Sequence, residues 1–209
     1  MVKERVWSPE SYIGMTAKDV IVEILRLNPH ISRIRLVSYI PREKPRESLE
    51  KLLETGIPDE EWDIRIPRWV NLIPARRDPR EVIQEILDSS TNKLVGVQSK
   101  VEYLGHYIQH VPMVDFNFEV NQANLAKVKE ALNLMCQKDG FILSSGRSFH
   151  YYSSHLLDEK EWQSFMGQSL LTGLVEPRYV GHSLIQGAAT LRISAGLNKP
   201  KEPEVVATL

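Results

Sequence analysis

The sequence predicts an α+β protein whose C-terminal half carries an antiparallel sheet. From residue 93 onward, segments with strand-like alternation and segments with helical periodicity follow one another in the order β, β, α, β, β, α. Hydrophobic residues make up 42% of the chain and charged residues 25%, which is ordinary for a soluble globular protein. This order of elements indicates a sheet with helices on one face.

The N-terminal half reads as a mixed α/β segment. Thr16 and Asp19 have the spacing of a capping box and precede an apolar helical stripe, which predicts a helix over residues 17–27. Asp78 followed by Pro79 predicts another helix start, because proline in the first turn gives up no hydrogen bond. A strand, a short helix and a partly extended connection are expected between them, at residues 34–40, 48–54 and 56–75.

Residues 89–92 form the best internal boundary, because Ser-Ser-Thr-Asn closes one helix and opens a more β-rich region. We therefore divide the chain into an N-terminal α/β part of unassigned role, residues 1–92, and a C-terminal core, residues 93–209. No flexible linker separates them, so we expect one compact unit.

The core elements are predicted from local patterns. Residues 94–103 and 108–120 read as two strands joined by a turn at Gly105, which indicates an antiparallel pair. Leu125 to Met135 have helical periodicity, and Asp158 with Glu161 caps a further helix. A short strand, a tight turn and another strand are expected between these helices, at residues 141–143, 144–146 and 148–152.

Composition restricts the possible functions. The formal net charge is −1, whereas proteins that hold nucleic acid by bulk electrostatics usually have a basic excess, so any such contact must be local. Two basic clusters are available, although a solvated surface explains each about as well: Arg65, Arg68, Arg76, Arg77 and Arg80, and Arg178, Arg192, Lys199 and Lys201.

Neither a membrane location nor a cysteine-based site is expected. No apolar run reaches the length of a membrane span, and the mixed-charge N-terminus is no secretory signal, so we expect a cytoplasmic protein. Cys136 is the only cysteine, which excludes a disulfide within the chain. We expect it to be packed on an apolar helical stripe.

Polar groups interrupt the apolar strand around residue 115. Strand alternation would place Asp115, Asn117 and Glu119 on one face, where their oxygens could bind a divalent cation such as magnesium. A lone aspartate among apolar residues is costly to bury unless it is paired or metal-bound. The alternative is an edge strand with one solvent-facing polar side.

The segment from Ser144 to Tyr152 indicates an anion site. Gly146 permits a tight turn whose N–H groups could converge on an anion, and Arg147 and Ser148 add further donors. His150 can donate to a phosphate oxygen or act as an acid or base. A buried histidine that is hydrogen-bonded to backbone is the alternative.

Three motifs follow one another along the core: Asp115 with Asn117, the segment SSGRSFH at residues 144–150, and Glu176-Pro177-Arg178. They resemble the motifs of the archaeo-eukaryotic primase and primase-polymerase superfamily over roughly residues 94–200. The resemblance implies an RRM-like antiparallel sheet core with two divalent ions, Mg²⁺ or Mn²⁺, on the acidic residues. It also implies a nucleoside triphosphate whose phosphates contact the histidine.

The resemblance also assigns roles to single residues. The catalytic residues would be Asp115, Asn117, His150 and Glu176. The metal ligands would be Asp115, Asn117, Glu176 and, if the strand bulges, Glu119. The nucleotide-binding residues would be Ser145, Arg147, Ser148, His150, Arg192 and Lys199.

These roles describe a metal-dependent nucleotidyltransferase, either a DNA or RNA primase or a primer-extending polymerase, that acts on a single-stranded template. We expect a helicase or another replication protein as a further partner. Asn117 stands where the family has aspartate or glutamate, and its neutral amide is a weaker magnesium ligand. The alternative is therefore a degenerate relative that binds nucleotides or single-stranded nucleic acid without chemistry.

A third alternative is an unrelated metal-dependent hydrolase. Its ligands would be His106, His110, Asp115 and His150. The two histidines of residues 106–110 are expected on a turn and a strand rather than on one helix, which weakens the metal-ligand pattern.

Overall fold

Two antiparallel sheets organise the computed structural model, which describes residues 9–40, 49–55, 66–72, 78–90, 92–103, 106–196 and 199–209. The strands are β1 (Ile31–Tyr39), β2 (Ile66–Asn71), β3 (Leu94–Tyr103), β4 (Ile108–His110), β5 (Met113–Phe116), β6 (Gly140–Ser144), β7 (Phe149–Ser153), β8 (Thr190–Arg192) and β9 (Glu204–Thr208). The helices are α1 (Ala17–Leu27), α2 (Leu49–Thr55), α3 (Pro79–Ser89), α4 (Gln122–Leu134), α5 (Glu159–Leu171) and α6 (Pro177–Gln186). The α+β class is confirmed.

The first sheet has the strand order β2-β1-β3-β4, and β8 also pairs with β3. Strand β1 comes from the N-terminal part and β3 from the core, and their antiparallel register places Val37 opposite Gly96. Buried residues of both parts, among them Ile24 and Phe165, belong to one hydrophobic cluster. The division at residue 92 stays a prediction.

The second sheet has the order β5-β7-β6-β9. Strands β6 and β7 form the expected hairpin, and β5 lies along the other side of β7. The C-terminal strand β9, which the sequence reading did not identify, pairs with β6. This sheet carries both of the polar segments that indicated a site.

One long strand over residues 108–120 was predicted, and this is wrong. The segment is divided into β4, which pairs with β3, and β5, which pairs with β7. Pro112 lies between them and has no N–H to continue the first ladder. The carbonyl of Pro112 accepts from Ser153 N–H at 3.0 Å, so the chain passes directly from one sheet to the other.

Helix starts follow the predicted capping residues. The Thr16 side chain accepts from Asp19 N–H, and Asp158 forms a capping box with Glu161.

Cys136 is exposed after the end of α4, at φ 56°, so its predicted packing on the helical stripe is wrong.

Several sequence features lie wholly or partly outside the described residues, namely the Gly105 turn, Arg65, Arg76, Arg77 and most of residues 56–75. Within that last stretch, the described residues 66–72 are largely strand β2 rather than a connection. No helix in the described ranges is both long and apolar enough to cross a bilayer.

A buried hydrogen-bond chain fixes α5 against the first sheet. Ala189 N–H donates to Ser99 Oγ at 3.0 Å, Ser99 Oγ lies 3.0 Å from His110 Nδ1, and His110 Nε2 lies 3.0 Å from a Glu159 carboxylate oxygen. Burial lowers the pKa of His110 and so favours the neutral ring, in which Nε2 donates to the carboxylate and Nδ1 accepts from the serine hydroxyl. The His110 ring stacks on Trp162 at 4.4 Å.

Acid should weaken this arrangement. Burial lowers the pKa of His110, although Glu159 opposes the shift. A group whose folded pKa is depressed contributes stability above its unfolded pKa of 6.5 and loses it as the pH falls. The free energy of unfolding should therefore decrease below pH 6.5, by at most about 1.4 kcal/mol per pH unit for this one group.

Urea unfolding between pH 7 and pH 5 measures this slope. His110→Gln should reduce it, whereas His155→Gln, a matched control whose ring is 70% exposed, should leave it unchanged. Equal slopes in the wild type and His110→Gln would contradict the assignment.

Candidate functional site

A pocket of about 210 Å³ is lined by residues of both sheets. The second sheet and its hairpin turn contribute Asp115, Ser145, Ser148 and His150. The first sheet contributes Tyr39, Leu94, Thr190, Leu191 and Arg192, while Glu176, Tyr179 and Lys199 complete the wall. Seven residues proposed from the sequence thus converge on one cavity, namely Asp115, Ser145, Ser148, His150, Glu176, Arg192 and Lys199.

Asp115 lies at the centre of the acidic side of the pocket. Its carboxylate accepts a hydrogen bond of 3.0 Å from Ser148 Oγ. Burial raises the pKa of Asp115 to about 6, Glu176 raises it further, and Ser148, Lys199 and Arg192 act in the opposite direction. Its side chain is 40% exposed, so the carboxylate remains accessible to a ligand.

His150 is the Cα partner of Asp115 across the β5–β7 ladder. Its side chain is 6% exposed, and its Nε2 lies 3.9 Å from Asp115 Oδ1, which is beyond hydrogen-bond range. Burial lowers the pKa of His150 to about 3, with Arg192 and Lys199 adding to the shift. The ring is therefore neutral near pH 7 and offers one N–H donor.

The buried Nδ1 of His150 has no hydrogen-bond partner in the described structure. A buried polar atom without a partner is costly in a folded protein, and such atoms often mark a functional position. His150 also lines the pocket, so this unpaired nitrogen belongs to a residue of the candidate site.

The hairpin turn does not form the expected anion nest. Gly146 has φ 97°, as the tight turn requires, but its N–H donates to Ser144 Oγ at 3.3 Å. The N–H groups of Ser145 and Ser148 are likewise used inside the turn, at 2.9 and 3.3 Å. Arg147 is exposed at the tip and does not line the pocket.

Arg192 has a second role that the sequence did not indicate. Its buried guanidinium donates to the carbonyl oxygens of Ser145 at 2.9 Å and Lys201 at 2.7 Å, and also to that of Ser194. Burial lowers its pKa, while nearby acidic groups such as Asp115 raise it. One side chain thus joins the hairpin turn, strand β8 and the segment before β9.

Glu176 lies at the N-cap of α6 and makes no side-chain capping bond. Asn117 Nδ2 donates to Glu176 Oε2 at 3.3 Å, so these two motif residues are neighbours. Strand β5 ends at Phe116, and Asn117 N–H donates to the carbonyl of Leu174 at 3.1 Å. The chain therefore turns towards the start of α6.

The expected common strand face of Asp115, Asn117 and Glu119 is wrong, because the strand ends after Phe116. Asn117 and Glu119 are both exposed, and neither lines the pocket. The carbonyl of Glu119 accepts from Asn124 at 2.9 Å near the start of α4. The structure therefore brings Glu176, but not Glu119, to Asp115.

The donor set fits one divalent cation better than two. Asp115 and Glu176 are the two carboxylates that line the pocket. In the described ranges, no group of three or more histidine, cysteine, aspartate and glutamate residues is arranged to hold a metal ion. Magnesium commonly binds through one or two carboxylates together with substrate phosphates. The pocket offers two such carboxylates.

The histidines of the hydrolase alternative lie apart from the pocket. His106 Nδ1 lies 2.9 Å from a Glu102 carboxylate oxygen, and His110 belongs to the buried chain with Ser99. Neither lines the pocket with Asp115 and His150. The structure therefore does not assemble that site.

Sequence reasoning missed Tyr39, Leu94 and Thr190. Tyr39 ends strand β1 and Leu94 begins β3, and the two are paired across the ladder. Gly96 leaves room beside them, because a Cβ there would lie 3.0 Å from Thr190 Cγ2 and 3.3 Å from Tyr39 Cε1. No local pattern marks these residues, since only strand pairing places them at the pocket.

Arg192→Lys should lower the free energy of unfolding by about 2 kcal/mol, because a lysine cannot reproduce three carbonyl contacts from a planar fork. Arg147→Lys is the matched control and should change it by less than about 0.5 kcal/mol, as the side chain is exposed. Urea unfolding measures both. Equal stability of the two variants would show that Arg192 does not hold the turn.

A protein-family model and a solved structure are similar to this chain. Residues 80–206 match the family model described as AEP-like, archaeo-eukaryotic primase 1D-like. No curated protein matches the chain. A solved structure, the polymerase domain of ligase D from Mycobacterium tuberculosis in complex with DNA, is 14% identical over 99% of this chain and 87% of that chain, with a TM-score of 0.44. The family model covers more than half of the sequence, so the chain belongs to the archaeo-eukaryotic primase-like family.

Proposed function

We propose that the chain is a divalent-cation-dependent nucleotidyltransferase that takes nucleoside triphosphates and extends or starts a strand on a single-stranded template. The observation that carries the proposal is the convergence of Asp115 and Glu176 with Arg192 and Lys199 around one pocket. Two carboxylates suit a cation, and two basic side chains suit phosphates. Membership of the primase family supports this choice of chemistry.

The pocket has the size of a phosphate chain rather than of a whole nucleotide. Its volume of about 210 Å³ lies below the ~300 Å³ at which pockets for drug-sized ligands begin. We therefore place the triphosphate inside and the sugar and base towards the opening. Asp115 and Glu176 would hold the cation, which would neutralise charge on the attacking and leaving oxygens when bound.

Each remaining side chain has a role in this arrangement. Ser148 donates to Asp115 and so fixes the direction of its carboxylate. The neutral His150 would donate one N–H to a phosphate oxygen. Lys199 would stabilise the charge that develops on the leaving pyrophosphate as the 3′-hydroxyl attacks the α-phosphorus. Arg192 would hold the turn and add positive charge to the same wall.

A second candidate function is binding of nucleotides or single strands without transfer. The specific observation in its favour is Asn117, whose amide nitrogen donates to Glu176 where the family pattern has an acid. One lone pair of Glu176 Oε2 is then occupied by this hydrogen bond and does not bind a cation. Binding without turnover would separate this candidate from the first.

The proposed activity implies nucleotides and a template strand as partners. Primer synthesis requires an opened duplex, so a helicase or another replication protein stays our predicted partner. A cytoplasmic location also stays a prediction. Incorporation of deoxynucleotides or of ribonucleotides decides whether the product is DNA or RNA.

Asp115→Asn should abolish transfer, with a loss of at least about 100-fold, because it removes the charged oxygen that the cation needs. Incorporation of labelled deoxynucleotides and ribonucleotides on a primed single-stranded template, with Mg²⁺ or Mn²⁺, measures the effect. Glu130→Gln, which removes an exposed acid on α4, is the matched control and should remain active. A wild-type chain that incorporates nothing with either cation, yet binds nucleotide, would instead establish the second candidate.

Asn117→Asp should restore the second acid of the family pattern. We expect it to lower the Mg²⁺ concentration for half-maximal activity several-fold, because it places another carboxylate beside Glu176. A titration of activity, and of nucleotide binding, against Mg²⁺ measures the change. An unchanged or increased Mg²⁺ requirement would show that residue 117 does not reach the cation.

A further inference from the structure

One face of the first sheet carries both the pocket and a cluster of basic and aromatic residues. Strand pairing places Arg35 opposite Trp69, and Arg33 opposite Asn71 and Glu102. Residues 33, 35, 37 and 39 of β1 share a face, because alternate side chains of a strand point to the same side. Since Tyr39 lines the pocket, Arg33, Arg35 and Trp69 lie on the pocket side of the sheet.

The three side chains form what we call the Arg-Trp cluster. The Cζ atom of Arg33 lies 5.0 Å from the centroid of the Trp69 ring, and that of Arg35 lies 5.7 Å from it. Both distances are in the range of cation–π contacts. The indole thus holds two guanidinium groups close together on a partly exposed surface.

The cluster has more positive than negative charge. Arg33 is paired with Glu102 at 3.0 Å, and the same carboxylate also bonds to His106. Arg35 has no ion-pair partner among the described residues. The Nε atoms of both arginines are buried and lack hydrogen-bond partners in the described structure. An anion bound beside the two guanidinium groups would reduce the repulsion between the two cations.

We propose that the Arg-Trp cluster binds single-stranded nucleic acid and guides it towards the pocket. Arginine contacts to phosphates, with an aromatic ring on which bases stack, are the combination that single-strand binding requires. This inference rests on the proposed function, because it assigns the N-terminal part a role in holding the template. It also explains how a chain of net charge −1 binds a polyanion, since the contact is local.

The spacing suits a strand of a few nucleotides. Arg35 and Tyr39 are four residues apart on β1, which corresponds to about 13 Å at ~3.3 Å per residue. Stacked nucleotides advance about 3.4 Å each, so the cluster lies about four nucleotides from the pocket. A template that occupies both positions needs at least this length.

Fluorescence anisotropy of labelled 6- and 12-nucleotide single strands, at several salt concentrations, tests the proposal. Trp69→Ala and Arg35→Gln should each weaken binding of the 12-mer about tenfold, and Arg35→Gln should also reduce the dependence on salt by about one phosphate contact. Trp69→Phe keeps an aromatic ring and should recover most of the affinity. Arg26→Gln, on α1, is the control and should bind like the wild type.

Nucleotide binding at the pocket is measured on the same variants by Mn²⁺-dependent titration of a nucleoside triphosphate. Retained nucleotide binding with weakened strand binding supports the proposal, and circular dichroism confirms that the variants are folded. If folded Trp69→Ala and Arg35→Gln bind the single strand as tightly as the wild type, the proposal is overturned. A protein partner would then be the occupant to test for this surface. If the wild type itself does not bind nucleotide, that result would count against the proposed function instead.

Discussion

The antiparallel pairing of β5 with β7 is the constraint on which the site depends. It places Asp115 opposite His150, although the two residues are separated by a helix and a strand in the chain. The hairpin turn before β7 carries Ser148, whose hydroxyl donates a hydrogen bond to the Asp115 carboxylate and orients it. A shift of one residue in this register would place Asp115 and His150 on opposite faces of the sheet.

Arg192 balances the electrostatics of the same region. The pKa of the Asp115 carboxyl is raised because the pocket walls partly remove it from water, and the cationic side chains of Arg192 and Lys199 limit that rise. The guanidinium is itself held by backbone carbonyls, so its charge is fixed in place rather than mobile. A cation and a triphosphate would enter a pocket whose charges are already positioned, which lowers the cost of reorganisation.

Local patterns were sufficient for most of the elements. The helix starts at Thr16, Asp78 and Asp158 were predicted because a capping side chain acts within one turn of its own helix. The β6–β7 hairpin was predicted because Gly146 can adopt a positive φ. The division of residues 108–120 was missed, since alternation alone does not show that a proline ends one ladder and begins another.

The sequence by itself determined the α+β class, the family resemblance and the motif residues Asp115, His150 and Glu176, because these depend on local periodicity and short spacings. Only the tertiary structure decided which of them meet. Glu176 approaches Asn117 because α6 begins beside the end of β5, whereas Glu119 turns away with the chain. Tyr39 and Arg192 reach the pocket through pairing of β1 and β8 with β3, and contacts between residues so distant in sequence leave no local pattern.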